Sequence, residues 1–328
     1  MNAASTTARF DVVGLGTAIV DVIATVSESF IDTHELVKGA MTLIDEERAS
    51  RLYDVMPAGI EVSGGSAANT IAGVASFGGS AAYIGKVRDD QLGSVFRHDL
   101  RATGVSYDVP LAPAGPATAR CLIQVTPDAQ RTLNTYLGIS SLLAPGDVDL
   151  DVVRAGKVVY CEGYLWDRDD AKVAIRQAMA AARAAGRKVA LTLSDSFCVD
   201  RHRVEWHELI EGPVDLVFAN EHEVCSLYET DWDTAAARLA SHVDIACLTR
   251  SEKGSVIAAG RERVAVSAHP VAQVVDTTGA GDLYAAGFLF GYTQGFDLAR
   301  CGALASLAAA EVIAHPGARP AVSLSSLM

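Results

Sequence analysis

From residue 157 onward, short apolar runs alternate with longer segments of helical character, and this alternation constrains the fold more than any other feature of the chain. Residues 158–160, 188–193, 214–219 and 245–249 read as strands, and residues 171–185 and 221–228 as helices between them. Strands joined through helices pair in parallel, and a parallel sheet must be covered on both faces. The N-terminal half has the same pieces, with strands at 10–16 and 81–86 and helices at 67–77 and 91–102. Two helices, 281–292 and 298–314, close the chain. Residues 31–44 and 105–136 break the rhythm with Thr, Pro, Gly and alternating patterns, as β-hairpins and loops do. They read as a small β-sheet lid inserted into one α/β domain spanning residues 1–328. Half of the 328 residues are apolar, which supplies a core of that size.

Charge narrows the function. Lys and Arg total 27 against 40 Asp and Glu, a net charge of −13, which argues against a broad nucleic-acid or anionic-membrane surface. A small anion held by local backbone donors stays open. Residues 1–9 carry no apolar core of a secretory signal, and six scattered cysteines form no CxxC pair. A cytoplasmic protein is the expectation.

The string Asp276-Thr277-Thr278-Gly279-Ala280-Gly281-Asp282 precedes an apolar helix. Amides at a helix N-terminus attract an anion, and small residues let a phosphate approach them. Asp282 beside such a cradle is a poor binder, because like charges repel, but a good base for a hydroxyl attacking that phosphate. Asn220 and Glu223 follow a strand three residues apart. They could organise a hydrated Mg²⁺, or simply cap a helix. Thr249-Arg250-Ser251-Glu252-Lys253-Gly254 also follows a strand and reads either as a phosphate loop or as a polar turn. Gly64-Gly65-Ser66-Ala67-Ala68-Asn69 opens a helix and could bring donors to a substrate hydroxyl. Asp21 could accept from a diol. Asp195, Asp231 and Asp233 read as surface or turn acids. Gly14-Leu15-Gly16 is followed by Ile19, so the dinucleotide fingerprint fails at its third glycine, and no Walker string or HExxH is present.

In combination these strings resemble the ribokinase-like carbohydrate and nucleoside kinases, the PfkB family, over nearly the whole chain. The resemblance implies a parallel sheet flanked by helices with a small β lid, and ATP-dependent transfer to an alcohol. Asp282 is then the base, and Gly279, Ala280 and Gly281 the anion hole. Asn220 and Glu223 organise Mg²⁺ through water; Thr249, Ser251 and Gly254 meet ATP phosphates, although many members have Gly in place of Ser251. Asp21, Gly64, Gly65 and Asn69 hold sugar hydroxyls. In some members Asp276 and the backbone near Gly317 match a site for a monovalent cation such as K⁺; the alternative is that Asp276 braces the loop. The implied partners are ATP and a small molecule, for a monomer or homodimer.

Residues 131–138 and 161–167 are most similar to bacterial adenosine kinases within that family. On this likeness Arg131 reaches the transferred phosphoryl from the lid, and Leu133 with Tyr164 or Leu165 packs on a purine. Gly16-Thr17 departs from the Gly-Asn frequent there, which leaves a sugar kinase as the alternative.

Overall fold

In the computed structural model, which describes residues 7–128 and 130–328, the expected sheet is the spine of the molecule. Residues 1–6, part of the stretch read for a signal, and Ala129, inside the expected lid segment 105–136, lie outside the described residues. Six strands run parallel in the order Ala81–Ile84, Phe10–Leu15, Gly156–Glu162, Lys188–Thr192, Leu216–Asn220, Ile245–Thr249. Ser255–Ala259 and Glu262–Val266 extend it as an antiparallel hairpin, so the sheet is mixed at one edge. The cause is local. Only Gly260 and Arg261 separate those strands, too few for a crossover, and Gly260 supplies the positive φ of a tight hairpin turn.

Strand side chains alternate, so each central strand feeds two cores. Val12, Val158 and Phe218 pack with helices Ser66–Ser76, Ala280–Thr293 and Leu298–Val312. Val13, Val159 and Val217 pack with Asp169–Ala184, Ser196–Ile210, Glu221–Tyr228 and Trp232–His242 on the other face. Each fully buried aliphatic side chain contributes roughly 1.5–3 kcal/mol relative to exposure.

A second sheet has the order Met41–Leu43, Arg131–Tyr136, Ala119–Val125, Ile19–Thr25, Ile60–Gly64. Two of its strands, Ile19–Thr25 and Ile60–Gly64, lie outside the segments 31–44 and 105–136. Segment 31–44 yields only the short edge strand and overlaps helix Glu28–Thr33. Ile19–Thr25 follows the first core strand after only Gly16, Thr17 and Ala18, so the chain passes from one sheet to the other almost without a loop. In register, Asp21 stands between Val62 and Cys121, and Cys121 stands beside Thr135. These side chains share the lid face turned toward the carboxyl ends of the core strands, where open α/β sheets collect ligands.

Candidate active site

A cavity of about 890 Å³ lies between the lid and those strand ends. Asp21, Gly65, Asn69, Asn220, Glu223, Thr249, Ser251, Gly254, Gly279, Ala280, Gly281 and Asp282 all line it. The sequence-derived residues from five separate stretches therefore converge on one space. Among the described residues no Lys or Arg lines it.

Helix Ala280–Thr293 starts at Gly279, whose φ of 79° is left-handed. A Cβ there would stand 2.8 Å from the Cβ of Ala318, so both backbone and space select glycine. The amides of Gly279, Gly281 and Asp282 make no hydrogen bond within the described residues, as an anion cradle requires. Ala280 departs from the expected anion hole, because its amide closes a turn on the Thr277 carbonyl at 3.2 Å.

The half-buried carboxylate of Asp282 accepts from Ser66 Oγ at 2.6 Å and Asn69 Nδ2 at 3.0 Å. Burial raises its pKa, while these two donors and the charge of Arg319 pull it back. Asn69 Oδ1 is buried with no partner, and the Asp21 carboxylate lines the cavity with no hydrogen bond among the described residues. Burial lifts Asp21 to about 6 against the pull of Arg319 and Arg131, with repulsion from Asp282 adding to the rise. Such acceptors are costly unless a ligand meets them. Gly64 makes room for Asp21, since a Cβ there would stand 2.5 Å from its carboxylate oxygen. Gly65, at φ 99°, leads into the helix that carries Ser66 and Asn69.

Asn220 and Glu223 form the reciprocal cap: Glu223 N–H donates to Asn220 Oδ1 at 2.9 Å, and Asn220 N–H donates to Glu223 Oε2 at 3.0 Å. Glu223 nevertheless lines the cavity, and burial raises it to about 7, with repulsion from Asp195 adding to the shift. The described residues hold no cluster of three His, Cys, Asp or Glu side chains suited to a metal ion. The donor set therefore fits a Mg²⁺ carried mainly by phosphates and water, with Glu223 in an outer position. Ser251 takes a φ of 51°, a conformation that favours glycine. Lys253 turns away toward Glu221 at 3.8 Å.

Three of the expected residues stand apart from the cavity or are already paired. Arg131 does not line the cavity; its guanidinium pairs with Asp276 and donates to Thr278 Oγ1 at 3.3 Å, and its Nε has no partner. Asp276 braces the loop: it also accepts from Thr278 N–H at 3.0 Å and Gly317 N–H at 2.9 Å, so Arg131 supplies the positive charge expected of a monovalent cation. Leu133 stands in the lid row of Ile23 and Ile123, one row beyond Asp21, Cys121 and Thr135, and does not reach the cavity, whereas Tyr164 does.

Several contributors had no motif to betray them. Glu162, fully buried and raised to about 7 by burial, accepts from Thr17 Oγ1 at 2.5 Å and Ala67 N–H at 2.8 Å. It thereby ties the entry of the lid to the substrate helix. Arg319 escaped for the same reason, whereas Ser66 lay inside the string 64–69 with no role assigned to it. Asp195, read as a turn acid, caps helix Ser196–Ile210.

Comparison with known proteins matches this geometry. The description pfkB family carbohydrate kinase fits residues 55–324, so the chain belongs to the pfkB family. It is 52% identical to a probable sugar kinase protein of Rhizobium etli, over 98% of both chains, with a TM-score of 0.90. It is 55% identical to the adenosine kinase of Sinorhizobium meliloti, again over 98% of both chains, with a TM-score of 0.89. A relative named probable fructokinase-4 from Arabidopsis thaliana is 27% identical over 241 residues, 71% of this chain and 74% of that protein. The chain is an ATP-dependent phosphotransferase acting on an alcohol, of the sugar and nucleoside kinase class.

Proposed function

We propose that the chain phosphorylates the 5′-hydroxyl of adenosine, giving AMP and ADP. The observation that carries the reading is the set of uncommitted groups around Asp282. The free amides of Gly279, Gly281 and Asp282 offer donors to a phosphoryl, and Asp21 with Asn69 Oδ1 offers acceptors to ribose hydroxyls. Asp282 takes the proton of the primary hydroxyl as its oxygen bonds to the γ-phosphorus and the bond to ADP breaks. Mg²⁺ would supply charge neutralisation that no lining Lys or Arg provides, with Glu223 and Asn220 holding it through water. Arg131, bound to Asp276, keeps the lid against the cradle loop and excludes water.

The base is the finer question. Tyr164, 40% exposed on the cavity wall with its hydroxyl donating to the Ser194 carbonyl at 3.2 Å, offers a flat apolar surface to a purine. The 55% identity to an adenosine kinase supports the same reading. The likeness to a fructokinase favours a sugar acceptor.

A panel of adenosine, ribose, fructose and a 2-keto-3-deoxy sugar acid, read by ADP release, tests the reading. Adenosine should exceed the sugars in kcat/KM by at least about 10²-fold, the worth of roughly 2.7 kcal/mol of base burial. A sugar outperforming adenosine sinks it in favour of the alternative.

A further inference from the structure

One short segment, Gly317-Ala318-Arg319, touches both glycine-bearing helix starts of the site, at Gly64-Gly65 and at Gly279. Gly317 N–H donates to Asp276, and Ala318 packs under Gly279. Arg319 donates through Nε and Nη2 to the Ser63 carbonyl at 3.0 and 2.8 Å, through Nη2 to Ser63 Oγ at 3.0 Å, and through Nη1 to the Ala68 carbonyl at 2.8 Å. Ser63 immediately precedes Gly64-Gly65, and Ala68 lies in the turn that presents Ser66 and Asn69 to Asp282. Ser63 is itself fixed by Asp99, which accepts from its N–H and Oγ at 2.7 and 2.6 Å. The guanidinium is thus held by neutral oxygens, and it stands behind the cavity wall rather than on it. Its two anchors adjoin the carboxylates on the wall: Ser63 precedes Gly64, which lies against the Asp21 carboxylate, and Ala68 precedes Asn69, which donates to Asp282, so its charge bears on two acids that repel one another.

We propose that Arg319 is a positioning residue for phosphoryl transfer: it fastens the lid strand to the substrate helix and serves as the fixed counter-charge that lets Asp21 and Asp282 be ionised side by side. A counter-charge is needed because the cavity wall itself carries acids and no Lys or Arg. Held by four hydrogen bonds, Arg319 does not leave its place when an anionic phosphate arrives. The other charged or titratable groups facing this pair are Arg131, Cys121, Glu162, Tyr160 and Tyr164, while Asp99 and Tyr83 face Arg319 itself. Of these Arg131 alone is a cation, and it is already paired with Asp276.

The role in transfer rests on the kinase reading, but its electrostatic core is measurable without any acceptor. The full-length protein labelled with ¹³C at Asp carboxyls is titrated, the two signals being assigned by their loss in Asp282→Asn and Asp21→Asn. Arg319→Gln keeps hydrogen-bonding groups and removes the charge; it should raise both titrations by about one pH unit, the lower end of what a neighbouring charge does. Arg319→Lys keeps the charge with a poorer fork; both titrations should stay close to wild type while Tm falls. A bracing role alone would lower Tm in both variants and leave the titrations unmoved. Arg319→Gln titrating like wild type overturns the proposal. Should Arg319→Gln not fold, Arg319→Lys decides alone, since a full-unit rise despite the retained charge overturns it equally. The acid limb of kcat/KM should move with the Asp282 signal. Failure of the kinase reading would show instead as an acceptor panel without turnover.

Discussion

Asp282 answers two demands that pull against each other. In the proposed role of base it must be ionised at working pH, yet burial beside Asp21 favours its protonated form. Ser66, Asn69 and Arg319 hold the balance, and the remaining upward shift keeps its affinity for a proton useful. Asp282→Asn should leave ATP affinity near wild type and lower kcat by roughly 10²–10⁴. Retention of near-wild-type kcat would exclude it as the base. The sign of the pH effect follows from the same shift. The acid limb of kcat/KM should lie above the ordinary aspartate value of 3.8, with activity lost as pH falls through it. A limb at or below that value would show that the ionised form is favoured more than the burial implies.

At the scale of elements, the start of helix Ala280–Thr293 is the most sensitive joint. Gly279→Ala adds a Cβ at 2.8 Å from Ala318 and forces a φ of 79° on a side-chain-bearing residue. The strain costs on the order of 1–3 kcal/mol, so both Tm and kcat should fall. Ala318→Gly in that background should recover part of the stability, and no recovery would place the cost wholly in the backbone. The helix Glu221–Tyr228 gives a second test. Glu223→Gln should raise the Mg²⁺ concentration for half-maximal rate several-fold, whereas an unchanged titration curve would reduce the Asn220–Glu223 pair to a helix cap. The sequence exposed these joints because each couples a strand end to a helix start through small or capping residues, and that chemistry is local. It did not expose the lid strands Ile19–Thr25 and Ile60–Gly64, whose partners are remote and whose register only the folded sheet fixes. Helix Ser196–Ile210 was hidden by a kink at His202, which breaks its periodicity. Arg131 and Leu133 were assigned to the lid correctly, but the row in which each stands depends on pairing with Ala119–Val125. Arg319 was silent because its partners are backbone carbonyls some 250 residues earlier, which no sequence pattern marks.

Across the whole molecule, the buried acids give stability an unusual pH profile. Asp21 at about 6 and Glu162 and Glu223 at about 7 have folded pKa values above their unfolded ones. Their contribution is fully present below the unfolded values and is lost as pH rises through roughly 6–7. Asp11, Asp167 and Glu205 are shifted downward despite burial, by Lys157, by Arg201 and by Lys172 respectively, and lose their contribution as pH falls below about 4. Tm in the absence of ligands should therefore peak at about pH 4–5, between the two sets of titrations, and decline until about pH 7, where the raised acids have lost their protons. A Tm still rising between pH 6 and 8 would contradict the burial of these acids. Ligands that satisfy Asp21 and Glu223 should flatten the decline.

The Gly317-Ala318-Arg319 segment also bears on when the protein becomes active during its synthesis. Every other residue assigned to the site precedes it in the order of translation, and Asp21 emerges first. Until residues 317–319 leave the ribosome, Gly279 lacks the floor that Ala318 supplies, Asp276 lacks one of its donors, and the lid strand at Ser63 is not fastened to the substrate helix. A growing chain can thus build both sheets while its phosphate cradle is still incomplete. Completion of the site is a late event, set by residues 317–319 rather than by formation of the core.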